Sequence, residues 1–321
     1  MLINNKDVIQ SYILTTARYD FSVYEKRIMY RLVEMAQSDM EGKRLNKDYV
    51  INKTLFDDRI VTMPISAFLN GEKDKNYSRV KKALDDLESK VIYYEDDRIW
   101  KKLRIIQKPK VEKYQSTVTF EVQPEIWYAI LKFSKGFRKF ELVTAMQFES
   151  IYSMRFYELF SGQKTPITYS IENLKLMFGI EDKYKNRPAD FIKRVVIIAK
   201  KELDKVSPYS FEYTLIKEGR KIVAIKFFPY LIPENRDEAL ETKQLKKQVS
   251  PNWTLDKMII DYLKQNYYFD SKEINNNLDL FKKAQNKLDL MLFLSEMRAK
   301  CDNKANPKGY LINAIKKQLK S

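Results

Sequence analysis

Apolar residues recur at helical spacing in several stretches of this chain and at alternate spacing in others. Ser22-Val-Tyr-Glu25 has the form of a capping box, with serine and glutamate placed to satisfy each other's backbone amides. The helix it predicts carries Ile28, Leu32, Met35 and Ala36 on one stripe and ends before Gly42. A short helix is expected after Pro64, through Ile65 to Leu69. A longer one runs from about Tyr77 to Ser89, with Val80, Ala83, Leu84 and Leu87 inward. Two strands follow, Val91–Glu95 and Arg98–Ile106, joined at Asp96-Asp97, and Thr117–Val122 alternates as a third. Pro124 opens a further helix at a position that tolerates its missing amide.

The second half repeats that order. A helix is expected over Phe148–Phe160, with Tyr152, Phe156, Leu159 and Phe160 at helical spacing. Ser170-Ile-Glu-Asn starts a short helix ending at Gly179, placed as a C-cap glycine. Pro188 opens a long helix to about Lys205, and strands Tyr209–Lys217 and Lys221–Phe228 turn around Glu218-Gly219. Helices followed by a hairpin thus occur over roughly 22–123 and again over 146–228, with no visible similarity between the two halves. Short helix, longer helix and two-stranded ribbon is the winged variant of helix-turn-helix.

The expected class is therefore α+β: two tandem winged-helix domains followed by a small helical C-terminal region. The boundaries are 1–140, 141–235, a polar linker at 236–251 beginning near Pro233, and the helical region 252–321. Its helices are expected at Leu255–Gln265, Leu278–Lys300 and Pro307–Leu319.

Composition narrows the chemistry. No histidine occurs in the 321 residues, which removes Ser-His-Asp and Cys-His catalysis and every His-ligated metal centre. The seven glycines fall into neither GxxxxGK[ST] nor GxGxxG spacing, so a standard phosphate-cradling loop is absent. One cysteine, Cys301, leaves no internal disulfide and fits a reducing cytoplasm. No apolar run predicts a membrane span, and the N-terminus lacks the pattern of a signal peptide. The carboxylate pairs Asp57-Asp58, Asp85-Asp86 and Asp96-Asp97 sit at turns or on solvated faces with no second ligand cluster. No metal, no cofactor and no enzymatic activity are expected.

What remains is charge. Lys and Arg outnumber Asp and Glu by 59 to 43, giving +16 and favouring a polyanionic partner through counterion release. The helix from Pro188 carries the excess most selectively. Phe191, Val195, Ile198, Ala199, Leu203 and Val206 gather on one side, and Lys193, Arg194, Lys200 and Lys201 on the other. Such a helix fits a major groove, where arginine or lysine reads guanine O6 and N7. Its N-terminal end brings Lys185, Asn186, Arg187, Lys193 and Arg194 to the bases. An ordinary solvated face looks similar; the hairpin that follows favours DNA. Arg220 and Lys221, beside Lys217 at the hairpin tip, are placed to touch phosphates or a minor groove, although solvated turns share that look. In the first half the matching basic helix start is Lys73 to Lys82, with Lys75, Asn76, Arg79 and Lys82 as candidates for phosphate contact. A protein-interaction role for that half fits almost as well. The aromatics Tyr152, Phe156, Tyr157, Phe160, Tyr209 and Phe211 read as core rather than as a stacking platform for single strands.

Several segments of the second half resemble the iteron-binding replication initiators (Rep proteins) of theta-replicating bacterial plasmids. They are Tyr152-Ser-Met-Arg-Phe-Tyr-Glu-Leu-Phe160, Glu172-Asn-Leu-Lys-Leu-Met-Phe-Gly-Ile180, Tyr184, Phe191-Ile-Lys-Arg-Val195, Ala199-Lys-Lys-Glu-Leu203 and Gly219-Arg-Lys-Ile-Val-Ala-Ile-Lys-Phe227. The first half resembles the family more loosely, through the early helix and Arg79–Leu87. In the tail, Asn306-Pro-Lys-Gly-Tyr-Leu-Ile-Asn-Ala-Ile315 is similar to the ending of some members. The resemblance implies that the second domain binds double-stranded, directly repeated origin DNA through its long helix. It implies that the first domain contributes DNA contact and homodimerisation. It further implies recruitment of the host replication initiator and helicase, and repression of the protein's own promoter by dimers. The remaining readings are a two-domain winged-helix transcriptional repressor without origin function, and a carboxylate-metal nuclease or recombinase. The tail of about 70 residues departs from the family pattern.

Overall fold

The computed structural model describes residues 5–70, 74–95, 100–112, 114, 116–131, 133, 136–185, 187–249, 254–302 and 304–319. The expected turn at Asp96-Asp97 lies outside them. The first domain runs β1 (Asp7–Ser11), α1 (Tyr12–Thr16), α2 (Val23–Met40), β2 (Val50–Lys53) and β3 (Arg59–Pro64). A 3-10 turn at Ile65–Phe68 follows, then α3 (Tyr77–Ser89), β4 (Val91–Glu95), β5 (Trp100–Arg104), β6 (Gln107–Glu112) and β7 (Thr117–Val122). The domain closes with α4 (Pro124–Ile130), β8 (Phe137–Glu141) and α5 (Leu142–Gln147), and α6 (Ile151–Phe160) leads onward.

α2 starts at the capping box the sequence predicts: the Glu25 amide donates to Ser22 Oγ at 3.3 Å, and the Ser22 amide to Glu25 Oε2 at 2.7 Å. Its apolar stripe is buried, but so is its polar side, including Lys26, Arg27, Arg31 and Glu34. These charges are matched inside. Arg31 donates to Ala67 O at 2.8 Å and pairs with Glu34 at 2.6 Å, and Arg27 donates to the carbonyls of Met146 and Phe148. A four-stranded antiparallel sheet is ordered β2-β3-β7-β6, β4 and β5 form a separate two-stranded ribbon, and β1 pairs with β8. α3 packs on α2 and β6 through Val80, Ala83, Leu84 and Leu87, all buried as expected.

The second domain has β9 (Ile167–Ser170), α7 (Ile171–Met177), α8 (Pro188–Phe191), a π turn at Ile192–Val196, α9 (Ile197–Val206), β10 (Tyr209–Glu218) and β11 (Lys221–Leu231). β9 pairs with β11 and makes the wing sheet three-stranded, ordered β10-β11-β9. α6 starts three residues later than its apolar pattern suggests, because Ser150 Oγ accepts from the Tyr152 amide. It packs against α9 and β10 and also against α1 and β8, so it belongs to both cores. Phe156 and Phe160 lie within 5.0–5.5 Å of Phe211 and Phe227, centroid to centroid. The aromatic cluster of the second half is core packing, as expected.

Past a 3-10 turn at Pro233–Asn235, the segment read as a polar linker carries a helix, α10 (Glu238–Val249). The C-terminal region forms α11 (Lys257–Tyr267), α12 (Ser271–Asn276), α13 (Leu278–Lys287), α14 (Leu290–Asp302) and α15 (Pro307–Gln318). The single helix expected over Leu278–Lys300 is two. Leu288 is extended, and Asp289 Oδ1 accepts from the Leu292 amide at 3.1 Å, an N-cap that restarts the helix. The same carboxylate reaches Lys139 of β8 at 3.2 Å and ties the C-terminal bundle to the first domain.

Candidate nucleic-acid interface

The long helix of the second domain is one rod made of α8, the π turn and α9, with Pro188 in its first turn. The Ile197 amide bonds to the carbonyl of Ile192, five residues back, which inserts an extra residue into that turn. In an unbroken α-helix each i+4 step rotates by about 40°. The π turn cancels that drift, so Phe191, Val195, Ala199 and Leu203 stay in line and are all fully buried. Ile192 and Val196 complete the inner face. Ile198 would have sat above Phe191 in a regular helix. With the turn widened it is rotated outward to 46% exposure, which corrects its expected place in the core.

Lys193, Arg194, Lys201 and Lys205 are exposed on the outer face, with no ion-pair partner among the described residues. Lys200 is different. Its Nζ lies 3.0 Å from Asp204, 2.9 Å from Glu212 and 3.4 Å from Tyr230 Oη, which staples the helix to the base of the wing. Burial alone would lower the Lys200 ammonium; hydrogen bonds to Glu212 and Asp204 outweigh it and hold the pKa above its ordinary value. Burial likewise pushes Asp204 up, and hydrogen bonds from Ser210, Lys200 and Tyr230 bring it below the ordinary carboxylate value. Lys200 therefore holds the helix on the wing, and Lys193, Arg194 and Lys201 present charge outward.

The start of the rod carries Lys185, 2.8 Å from Asp182, and Arg187, 2.5 Å from Asp190. Both are i,i+3 pairs whose cations are exposed, cheap to exchange for a phosphate. Asn186 lies outside the described residues. The wing tip places Lys217, Arg220 and Lys221 on exposed backbone, turned by Gly219 at φ +61°, a conformation that suits glycine.

In the first domain, Asp74 organises the start of α3. It accepts from the amides of Asn70 and Asn76 at 3.0 Å each, from Asn76 Nδ2 at 2.7 Å and from Tyr24 Oη at 3.0 Å. Burial raises the Asp74 pKa, but these hydrogen bonds outweigh it and leave it lowered. The Asn76 side-chain amide is thereby engaged by Asp74, although the residue itself is exposed. Lys82 pairs with Asp86 at 3.2 Å across one turn, whereas Lys75 and Arg79 are exposed and have no ion-pair partner among the described residues. Lys73 lies outside the described residues. Lys102 and Arg104, exposed on β5, add cations to the first ribbon that the sequence reading passed over. Their alternation along that strand was the available signal. Among the described residues no group of acidic or cysteine side chains could hold a metal ion, and no helix is long and apolar enough to cross a membrane.

Two winged helices in tandem, each with an outward cationic helix and a basic ribbon, define a class of DNA-binding fold. Two family models match in the same order: initiator replication protein WH1 over residues 7–161, and initiator Rep protein WH2 over 170–228. Together they span well over half of the chain, and it belongs to the initiator Rep protein family. A search of curated protein sequences finds no match. Among solved structures, the fold is similar to a crystal structure of Pi initiator protein in complex with iteron DNA. The TM-score is 0.53 at 17% identity, over 73% of this chain and 100% of that one. α6 falls at the end of the WH1 match, and the helices beyond residue 228 lie outside both models.

Proposed function

We propose that this protein initiates plasmid replication by binding directly repeated origin DNA, with the rod Pro188–Val206 in the major groove. One observation carries the reading. Arg194 and Lys201 project with Lys193 from a helix whose opposite face is locked into the core and whose flank is stapled to the wing through Lys200. A rigid element with unspent cations on one face is what groove reading requires, since base contacts specify only when phosphate contacts hold a fixed register. The likeness to an initiator solved on iteron DNA supports the same partner.

On this reading the protein is a non-enzymatic cytoplasmic DNA-binding factor. Lys185, Arg187, Arg220 and Lys221 grip phosphates, and Lys75 and Arg79 of the first domain add contacts to the flank. Dimerisation through the first domain, repression of its own gene, and recruitment of the host initiator and helicase are parts of the same proposal. The test is binding to DNA upstream of its own gene against scrambled DNA of equal length across a salt series. Selectivity of about a thousandfold or more is expected, the lower range for specific readers. Equal binding to both DNAs would refute groove reading. Loss of plasmid maintenance when Arg194→Ala is introduced would separate an initiator from a repressor with no origin function.

A further inference from the structure

Ile198 is the large apolar residue on the outer face of the reading helix. It is 46% exposed, one turn from Arg194 and followed at i+3 and i+7 by the exposed Lys201 and Lys205. A lone exposed isoleucine on a protein surface needs no explanation. Three features set this one apart. It stands on the outer face of the rod between the exposed Arg194 and Lys201, the face that meets DNA on the proposed reading, while Glu202 at i+4 is turned to the amides of Glu149 and Ser150. It is out there because the π turn realigned the core, and its neighbour Ile197 is half-buried. Its branched side chain is stiff at χ1, so it projects a fixed apolar surface rather than a mobile one.

In a major groove the apolar group that projects from the base-pair edges towards such a side chain is the C5 methyl of thymine; cytosine has only a bare C–H there, and the other distinguishing groups are hydrogen-bond donors and acceptors. We propose that Ile198 is a specificity-determining residue that packs on a thymine methyl in the target repeat, while Arg194 and Lys201 on either side engage guanine or phosphate. This rests on the rod being the groove-reading helix. No bond is made or broken; the selectivity comes from removing two apolar surfaces from water together.

The test uses the full-length protein and a duplex carrying the sequence it protects upstream of its own gene. Each thymine is replaced singly by uracil, which deletes the methyl and leaves base pairing intact. One position is expected to weaken binding about fourfold, the equivalent of one methyl group left unburied. Ile198→Ala should bind the thymine duplex more weakly by at least that factor and lose the uracil sensitivity at that position alone. Ile198→Val should keep part of it. The site is half exposed in a helix, so both variants should fold, and circular dichroism would check this. If no uracil position matters to the parent, or if Ile198→Ala keeps the same sensitivity, the inference is overturned while groove reading stands. If the parent protects no sequence in the first place, the groove-reading assignment itself fails, and this inference with it.

Discussion

Lys26 Nζ of α2 lies 2.7 Å from a carboxylate oxygen of Glu158 on α6, and neither side chain is exposed. The ammonium also donates to Tyr19 Oη at 2.6 Å, and the second Glu158 oxygen accepts from Gln10 Nε2 at 3.0 Å. Because α6 packs on the second domain's α9 and β10 as well, this pair sits where the two cores meet. Glu158→Gln leaves the ammonium buried without a counter-charge and should cost about 3–5 kcal/mol. Replacing both partners, Lys26→Met with Glu158→Leu, should recover most of that, since a well-packed apolar pair carries no desolvation penalty. Urea unfolding of the three proteins would show it. A loss below about 1 kcal/mol for Glu158→Gln would mean that water reaches the pair as it does on a surface.

Arg194→Ala and Lys201→Ala should separate reading from grip. If Arg194 forks onto a guanine, its loss costs about 1–3 kcal/mol at the cognate site and much less on scrambled DNA. If Lys201 meets a phosphate, its loss weakens both DNAs alike and reduces the slope of log K against log salt by about 0.9. Lys200→Ala should instead lower stability, because that side chain bridges Asp204 and Glu212 within the protein. Titration by fluorescence anisotropy at several salt concentrations, with a melting curve for each variant, distinguishes the three behaviours.

Acid should unfold the first domain partly through Glu34. Burial pushes this carboxyl up, but Arg31 and Lys6 outweigh it and its pKa is lowered from 4.5 in the folded protein. A depressed folded pKa gives stability that is present above the unfolded value and lost as pH falls through the folded one. The urea midpoint should therefore hold from neutrality down to about pH 4.5, then fall with further acidification through this group. Glu34→Gln should be less stable at pH 7 and show a shallower fall below that point. Identical slopes would mean that other carboxylates set the acid limit.

Much of this fold is legible in the sequence where local signals act alone. The Ser22 capping box, the inner face of α3 and the two hairpins follow from spacing and caps. What escapes it depends on partners distant in the chain. The polar side of α2 should face water by its pattern, yet Arg27 and Arg31 are buried because the carbonyls of Met146, Phe148 and Ala67 arrive to accept from them. β9 is four residues with no flanking glycine, and only its pairing with β11 makes it a strand. At the candidate interface, regular helical periodicity places Ile198 inside, and one π turn moves it out. Charge counting treats Lys200 and Lys201 alike, although Asp204 one turn on and Glu212 on the wing strand engage the first and leave the second outward.

Gly179 tests how tightly the two domains are held together. It follows α7 at φ +63°, and a Cβ built there would lie 3.0 Å from the backbone of Tyr19 and Asp20 in the first domain. Two penalties therefore act at one position. A left-handed backbone costs an alanine about 1–2 kcal/mol. The close approach then forces the α1–α2 connection outward, disturbing Tyr19, over whose ring the Arg155 guanidinium stacks at 3.8 Å. Arg155 in turn donates to the carbonyls of Ala17 and Met177, so it joins that connection to α7. Gly179→Ala should lower stability by about 2 kcal/mol or more, the backbone penalty plus part of the contact. It should also speed amide exchange at residues 17–20 and 177–180 before it affects the wing. Gly162→Ala is the control, because that glycine has a positive φ of +74° but nothing within 4 Å of the added carbon. If the two variants lose the same stability, only the backbone matters and the domains are not pressed together at this point. If Gly179→Ala loses clearly more, and the exchange change is confined to those two segments, the contact through Tyr19 and Asp20 holds the second domain against the first.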